Sequence, residues 1–267
     1  MSSHSSNFDP TRALARQTLV AHRLAQAIDQ SVLKVHYQPE IDLKTGHVQT
    51  LEALCRWHDV ELNQVAPDEF IAVAEAKGLI APLGQEILRQ VMHDMPDILN
   101  RWPHVRVAIN VSGLELAEAT FAKQFVAAVS KINANYLSHI ELELTESIFL
   151  YDLPKVRENL EVLRRAGISI AIDDFGTGHS SLARLHTLPF DKIKLDRSFV
   201  QALDDPMAQA IIQAMVQLAN SFSRTLVAEG IETQKQLEQL TALGCQLGQG
   251  YLLCRPCDLK ELPIELS

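Results

Sequence analysis

The sequence has few cysteines, no long apolar run and no excess of positive charge. Its 267 residues include four cysteines, and 24 Lys and Arg against 33 Asp and Glu give a formal net charge of −9. No apolar stretch approaches the ~18 residues of a membrane span, so we expect no membrane-spanning helix. Proteins that bind nucleic-acid backbones by bulk charge carry a basic face, so a DNA or RNA polymer is not an expected partner. An anionic substrate would need a metal ion to mediate its binding.

The cysteine content and the N-terminus predict a cytoplasmic location. Four cysteines without a secretory signal are typical of a reducing compartment, and Met1–Ser6 has neither the basic nor the apolar region of such a signal. We interpret residues 1–20 as a linker or a leftover of protein expression, and residues 21–267 as one domain. Cys254 and Cys257 form the one close pair. Without a second pair or a nearby His, this spacing is a weak indication of zinc, and structural or incidental thiols are favoured.

Short β-rich runs alternate with amphipathic helical stretches along the chain. Eight strands alternating with helices over ~250 residues predict an α/β fold, a (β/α)₈ TIM-like barrel. The predicted strands are Leu33–Gln38, His47–Leu54, Arg106–Asn110, Ile140–Leu144, Ser169–Asp173, Lys192–Leu195, Thr225–Glu229 and Gln246–Tyr251. The predicted helices between them are Pro82–Leu99, Leu114–Ile132, Leu153–Ala166, Ser180–Thr187, Pro206–Phe222 and Gln234–Leu243.

The first connection is too short for a parallel barrel. Only the eight residues of Pro39–Gly46 separate the first two predicted strands, whereas a parallel crossover needs about a dozen or more. These strands should therefore form an antiparallel hairpin, with Lys44–Gly46 in its turn. The sequence thus predicts a barrel with an antiparallel first strand.

Polar side chains are expected to converge inside the barrel. Alternate side chains of a barrel strand point inward, and active-site groups gather at the C-terminal ends of the strands. In Ile140–Thr145, the period of two places Glu141 and Glu143 in the lumen. The same alternation brings further polar residues to the inner face of other strands: Glu52, Asn110, Asp173 followed by Asp174, Lys194, Asp196, Glu229 and Gln249.

Any one acid at a strand end has a simpler explanation, because Asp is common as a helix cap. Several carboxylates that converge from different strands need another explanation, since like charges repel and Lys194 alone cannot neutralise them. We therefore predict one or two divalent cations. Oxygen ligands favour Mg²⁺ or Mn²⁺, with Ca²⁺ as a competitor, and the adjacent pair of Asp173 and Asp174 suits a two-metal centre.

A series of motifs runs along the chain in a fixed order. They are Tyr37-Gln-Pro39, Glu52-Ala-Leu54 with Arg56-Trp57, Pro67 to Phe70-Ile71 with Ala74-Glu75, Asn110-Val-Ser112, Glu143-Leu-Thr-Glu146-Ser147, Asp173-Asp-Phe-Gly-Thr-Gly178 with Ser180-Ser-Leu182, Lys194-Leu-Asp196 with Phe199, Ala228-Glu-Gly-Ile-Glu232-Thr233 and Gln249-Gly-Tyr251. From about Leu24 onward, the chain resembles the EAL-domain cyclic-di-GMP phosphodiesterases. The resemblance implies a barrel with a reversed first strand and metal-dependent hydrolysis of one phosphodiester bond of cyclic-di-GMP, which yields linear 5′-pGpG.

The resemblance also implies a role for each matching residue. Glu52, counted among the catalytic residues, would bind one metal with Asn110, Glu143 and Asp173, and Asp173 and Asp174 would bind a second. Lys194 would orient the attacking water or hydroxide, with Glu229 as base or water-positioner and Gln249 as a supporting amide. Substrate contacts would come from Gln38, Leu54 and Arg56. Glu146 and Glu232 would hold the loop Asp174–Ser181.

Two departures from the family pattern stand out. His179 occupies a position where the family often has an aromatic residue, in a loop that the resemblance ties to dimerisation and metal binding. The stretch Asp59–Val65 lacks the usual Pro and Gly, which affects the expectation for a surface loop. The alternative function is a catalytically silent receptor for cyclic-di-GMP. The chain keeps every implied ligand and the signature Glu52-Ala-Leu54, which favours an enzyme.

The resemblance carries expectations about partners and architecture as well. We expect a homodimer, and Ca²⁺ is expected to inhibit. EAL domains commonly follow sensor or GGDEF-type modules, and the helical segment Arg12–Gln30 could be part of such a connection. The chain would then be a cytoplasmic domain of a larger protein, which could be attached to a membrane.

Overall fold

The computed structural model describes residues 10–151, 153–176 and 187–263, which divide into two units. The first unit contains Met1–Lys34 and Cys55–Ile87, and the second contains Val35–Leu54 and Leu88–Ser267. None of the helices in the described ranges is long and apolar enough to cross a membrane.

Eight strands close a barrel, and all their residues belong to the second unit except Lys34 in the first strand and residues 55–59 in the second strand. Along the ring their order is β1, β2, β4, β5, β6, β7, β8 and β9, and β9 pairs with β1. From β2 to β9 every neighbouring pair is parallel. The strands are β1 (Lys34–Asp42), β2 (Val48–Asp59), β4 (Arg106–Asn110), β5 (Ile140–Thr145), β6 (Ser169–Phe175), β7 (Lys192–Leu195), β8 (Thr225–Ala228) and β9 (Leu247–Gly248). The predicted barrel is confirmed.

The first strand is reversed, as the short connection predicts. β1 runs antiparallel to β9, with Ile41 opposite Gly248, and a tight hairpin joins it to β2. In the turn, the Asp42 carboxylate accepts hydrogen bonds from the backbone N–H groups of Lys44 and Thr45, and Gly46 adopts a φ of 73°. Carboxylate acceptance and a left-handed glycine are both typical of tight turns. The connection is shorter than predicted because β1 continues through Pro39 to Asp42.

The helices of the second unit lie between its strands. α3 (Ile80–Arg101) begins in the first unit and continues into the second. Short 3₁₀ turns occupy Ala134–His139 and Glu146–Leu150. The other helices are α4 (Gly113–Leu116), α5 (Phe121–Asn133), α6 (Leu153–Arg165), α7 (Arg197–Gln201), α8 (Pro206–Ser221) and α9 (Gln234–Leu243). The predicted helix Ser180–Thr187 falls on residues 180–186, outside the described ranges, and on Thr187, which lies in a turn.

One predicted helix, Leu114–Ile132, is wrong as a continuous element. It divides into α4 and α5, and the buried side chain of Asn159 on α6 bonds the backbone at the break. Asn159 Oδ1 accepts a hydrogen bond from the N–H of Ala122, and its Nδ2 donates to the carbonyls of Leu116 and Glu118. These bonds satisfy backbone groups that helix ends leave without partners.

The first unit adds elements that the sequence did not predict. α1 (Pro10–Asp29) agrees with the helical segment expected there, but β3 (Asn63–Val65) and α2 (Pro67–Lys77) were missed. β3 pairs antiparallel with the end of β2, so the expected surface loop Asp59–Val65 is a hairpin. The Asp59 carboxylate accepts from the N–H groups at both 61 and 62 and forms an ion pair with Arg23 at 2.8 Å. These contacts of Asp59 hold the turn of the hairpin.

Candidate active site

Lys194 lies at the centre of four carboxylates inside the barrel. Its side chain is 1% exposed, and its Nζ lies 2.8 Å from Glu229 Oε1, 3.0 Å from Glu143 Oε1, 3.3 Å from Glu52 Oε2 and 3.6 Å from Asp173 Oδ1. The four acids come from, or directly follow, four different strands, and each was placed inside by the alternation of its strand. The structure thus brings together the residues that the sequence predicted to converge.

Glu52 connects three polar side chains of the site. Its Oε2 accepts a hydrogen bond of 2.7 Å from Gln249 Nε2, and its Oε1 accepts one of 3.1 Å from Asn110 Nδ2. Oε2 also faces the ammonium of Lys194. Because both oxygens have donors, the carboxylate of Glu52 is held in one orientation as an anion.

Asp173 and Asp174 lie near the C-terminal end of strand β6, where the backbone is strained. Asp174 adopts a φ of 53°, in the left-handed region that non-glycine residues rarely occupy, and its N–H donates to Asp173 Oδ1 at 2.8 Å. Such strain often occurs at functional sites. It turns both adjacent carboxylates toward one cluster, because oxygens of Asp173, Asp174 and Glu229 lie within 4.8 Å of one another. Asp196, also predicted inside, caps α7 through a bond from the N–H of Ser198, as the simpler explanation allowed.

The donor set fits a hard divalent cation. Every candidate atom is an oxygen, and Mg²⁺ and Mn²⁺ prefer carboxylate and amide oxygens. Both oxygens of Glu143 are buried, and neither makes a well-aligned hydrogen bond among the described residues, although Oε1 lies 3.0 Å from the ammonium of Lys194. Buried polar atoms of this kind call for a partner such as an ion. The sequence placed Glu229 among the converging acids with Asp173 and Asp174, but as a base or water-positioner and not as a metal ligand.

Burial and mutual repulsion shift the pKa values of these acids. Burial raises the pKa of Glu143 and of Glu229 well above the ordinary value, and the charge of Glu52 adds to both shifts. Burial and the neighbouring Asp173 raise the pKa of Asp174 to about 6. Burial opposes ionisation of Glu52 too, but Lys194, Gln249 and Asn110 outweigh it and lower its pKa. One lysine therefore does not neutralise the cluster.

These shifts, with the pKa of Asp174 raised to about 6, predict that the metal-free protein becomes more stable as the pH falls from about 7 to about 5. A carboxyl group whose pKa is raised by folding binds protons more tightly in the folded state, so its stabilising contribution decreases as pH rises through the folded pKa. The lowered pKa of Glu52 acts only below the ordinary range of about 4. Calorimetric melting in EDTA measures the effect. Saturating Mn²⁺ should reduce it, and a metal-free melting temperature that rises with pH over this interval would contradict the prediction.

A second ionic layer lies beneath the first, and the sequence revealed only part of it. Lys192 Nζ contacts Glu40 Oε2 and Glu141 Oε1 at 2.5 Å each, and Thr50 Oγ1 at 2.9 Å. Glu141 was predicted in the lumen, whereas Glu40 and Lys192 were missed. The alternation that placed Lys194 inside also applies to Lys192, two residues earlier on the same strand.

The three residues expected to contact substrate do not all belong to the same unit. Gln38 is buried on β1, and its Nε2 donates to the carbonyl of Cys254 at 2.9 Å. Leu54 is half-buried on β2. Arg56 belongs to the first unit, where its Nη1 donates to the carbonyl of Cys55. Thus Gln38 and Leu54 share the unit of the carboxylate cluster.

Glu146 and Glu232, expected to support the loop after Asp174, differ in their surroundings. Glu146 is buried, and its Oε2 accepts a hydrogen bond of 3.0 Å from the N–H of Gly176. Glu232 is exposed, and its N–H donates to Gln236 Oε1. The remainder of the loop, including His179, lies outside the described ranges.

A close backbone contact positions Gln249. Strand β9 is only two residues long, shorter than the predicted Gln246–Tyr251, because the chain turns after Gly250. A Cβ atom at Gly250 would lie 2.2 Å from both the backbone nitrogen and the carbonyl oxygen of Ile231. The N–H of Ile231 donates to the Gln249 carbonyl at 3.0 Å. The amide that holds Glu52 is therefore fixed by main-chain packing.

The fold and the site define a class: a TIM-like barrel with a reversed first strand and an acidic, lysine-centred site. The chain belongs to the EAL domain family, whose sequence model matches residues 21–256. The family agrees with the resemblance drawn from the motifs.

Relatives with assigned names fall in the same family. The chain is 40% identical over 241 residues to the cyclic di-GMP phosphodiesterase PA2567 of Pseudomonas aeruginosa, covering 90% of this chain and 41% of that protein. It is 37% identical over 251 residues to the bifunctional diguanylate cyclase/cyclic di-GMP phosphodiesterase MucR of the same species, covering 92% and 36%. The chain thus spans well under half of either relative.

A solved structure has the same architecture. The PaMucR phosphodiesterase in complex with c-di-GMP superposes with a TM-score of 0.83 at 36% identity, over 92% of this chain and all of that one. This similarity covers the barrel that holds the carboxylate cluster.

Proposed function

We propose that the chain is a metal-dependent phosphodiesterase that hydrolyses cyclic-di-GMP to linear 5′-pGpG. The observation that carries the proposal is the buried cluster of Glu52, Glu143, Asp173 and Glu229 around Lys194. The names of the relatives in Pseudomonas aeruginosa supply the substrate. A silent receptor would not need to keep so many buried acids, each of which costs desolvation free energy.

The chain's own oxygens would hold two cations. We assign Glu52, Asn110, Glu143 and Asp173 to one, and Asp173 with Asp174 to a second. Asn110 uses Nδ2 to bond Glu52, so Oδ1 is its ligand atom. Bound Mg²⁺ or Mn²⁺ would neutralise charge on the phosphodiester and lower the pKa of water, the two requirements for hydrolysing an anionic ester at neutral pH.

The remaining side chains position the nucleophile and the substrate. The Lys194 ammonium, within 4 Å of four carboxylates, would orient the attacking water or hydroxide. Glu229 would accept its proton at a carboxylate oxygen, because burial raises the pKa of Glu229 well above its ordinary value and makes it a stronger base. Gln249 keeps Glu52 in place. Gln38 and Leu54 would contact the nucleotide, and Arg56 suits a phosphate oxygen.

The purified chain is expected to convert cyclic-di-GMP to pGpG with Mg²⁺ or Mn²⁺, and to lose this activity in excess chelator. Ca²⁺ is expected to inhibit, because its longer bonds and looser coordination misplace the attacking water. Chromatography of the products, with each ion added back to the chelated protein, measures these effects.

Two results would contradict the assignment. Full turnover in excess chelator would exclude a metal-dependent reaction. Tight binding of cyclic-di-GMP without any pGpG under all metal conditions would identify a receptor instead. Linear pGpG added as substrate serves as the control, because its further hydrolysis would show a broader phosphodiesterase.

We also propose a cytoplasmic location, fusion to further modules and a homodimer. The four cysteines are unpaired, which supports a reducing cytoplasm. The larger relatives, one of them bifunctional, support a chain fused to sensor or GGDEF-type modules. A homodimer remains an expectation from the family, and sedimentation of the purified chain tests it.

A further inference from the structure

The barrel interior contains two ionic layers of similar composition. Three strands each give one side chain to both layers, two residues apart, as the alternation of a strand requires. The pairs are Thr50 and Glu52 on β2, Glu141 and Glu143 on β5, and Lys192 and Lys194 on β7. The upper layer is the proposed cation site. The lower layer has no role in the proposed reaction so far.

The lower lysine has a complete set of partners. An ammonium group has three N–H donors. Lys192 directs them to Glu40, Glu141 and Thr50 at 2.5, 2.5 and 2.9 Å. Its side chain is 7% exposed, and those of Glu40 and Glu141 are 0% and 1% exposed. The ammonium is therefore fixed in position and in turn fixes two buried carboxylates.

The lower layer touches the upper one at Glu143. Carboxylate oxygens of Glu40, Glu141 and Glu143 lie within 4.8 Å of one another, so three acids meet at the boundary. The ammonium of Lys194, 3.0 Å from Glu143 Oε1, is the ion-pair partner of Glu143, and neither oxygen of Glu143 has a well-aligned hydrogen bond among the described residues. The position of this carboxylate is therefore sensitive to the two carboxylates below it, because like charges this close repel one another. Those carboxylates stay together because a cation lies between them.

We infer that Lys192 is a positioning residue for the cation site. By holding Glu40 and Glu141 in the lower layer, it fixes the two carboxylates that lie next to the Glu143 carboxylate. The inference rests on the proposed function to the extent that Glu143 is a metal ligand. Lys192 itself does not reach the upper layer's oxygens, because its three donors are all occupied below.

Position and charge predict opposite effects of removing this lysine. Loss of a positive charge near the site would by itself tighten the binding of a cation. If Glu40 and Glu141 moved and no longer fixed the position of Glu143, cation binding would weaken, because residues that support metal ligands typically contribute 10- to 100-fold to metal affinity. A role in folding alone would lower the melting temperature and leave the affinity unchanged. The sign of the change in affinity therefore separates the three roles.

The experiment is a calorimetric titration of Mn²⁺ into the intact chain carrying Lys192→Met, which keeps the length of the side chain and removes its charge. We expect the Kd for Mn²⁺ to increase by about 10-fold or more relative to the unsubstituted chain. The matched control is Thr50→Val, which removes one bond to the ammonium and retains the ion pairs, and its Kd should change much less. Melting temperatures are measured in parallel, and no nucleotide is needed.

The outcome is decisive in each case. An unchanged or lower Kd in Lys192→Met overturns the inference. If this variant does not fold, Lys192→Gln replaces it, because a neutral amide can still donate to Glu40 and Glu141. A Kd for Mn²⁺ above that of the parent chain then supports positioning, even where the increase is less than tenfold. An unchanged or lower Kd overturns the inference. If the unsubstituted chain binds no Mn²⁺, the proposed function fails instead, and the same titration shows this separately.

Discussion

Substitution of Lys194 by alanine is expected to lower kcat at least about 10²-fold, the size typical of losing one well-placed electrostatic or proton-transfer group. The ammonium lies 2.8 Å from Glu229 Oε1 and 3.0 Å from Glu143 Oε1. In the described ranges, no other cationic side chain forms an ion pair with either carboxylate. Turnover of cyclic-di-GMP at saturating Mn²⁺ measures the effect, because added metal compensates for lost positive charge in the cluster.

The competing explanation is a purely structural lysine that neutralises buried acids. Removing one partner of a buried ion pair typically costs about 3–5 kcal/mol, so the melting temperature must be measured beside kcat. Lys194→Met retains most of the volume and tests whether a cavity alone changes the rate, and Lys131→Ala, at an exposed position of α5, is the matched control. An unchanged kcat at saturating metal, whatever the melting temperature, would remove Lys194 from the catalytic machinery.

Substitution of Glu52 by alanine should abolish hydrolysis while cyclic-di-GMP still binds. The change removes a proposed metal ligand and also frees Gln249 and Asn110, which both donate to its carboxylate. The nucleotide contacts proposed for Gln38 and Arg56 do not involve Glu52, so nucleotide affinity should decrease far less than turnover. Calorimetry of cyclic-di-GMP binding beside a pGpG assay measures both.

Glu52→Gln sharpens this test. An amide can accept a hydrogen bond at one oxygen only, so it can keep Gln249 or Asn110 but not both. It also carries no charge for a cation. Activity should therefore be lost in Glu52→Gln as well, whereas Glu158→Ala, at an exposed position of α6, should behave like the parent chain. Hydrolysis at a near parental rate in either Glu52 variant would refute the ligand assignment.

The alternation of strands explains why the upper layer was predictable from the sequence. Glu52, Glu143 and Lys194 lie in runs whose apolar neighbours define the outer face, so the period of two fixes their direction. The reversed first strand was predictable for a different reason, because a short connection excludes a parallel crossover.

The missed features depend on contacts that are distant in sequence. Glu40 was missed because β1 was ended at Gln38, before a proline that is unusual within a strand. The break between α4 and α5 depends on Asn159, which lies 37 residues after Ala122. No periodicity in either segment reveals such a contact.

The missing Cβ of Gly250 also limits which sequences can form this site. At position 250 any side chain would overlap the backbone of Ile231, and no choice of rotamer or smaller neighbour relieves a clash with main-chain atoms. At Gly248 the nearest atoms belong instead to the side chains of Ile231 and Leu43, which smaller residues could replace. Variation at 248 can therefore be compensated by its neighbours, whereas 250 admits one residue type. A library designed to alter specificity should leave position 250 constant and can vary 248 together with 231 and 43.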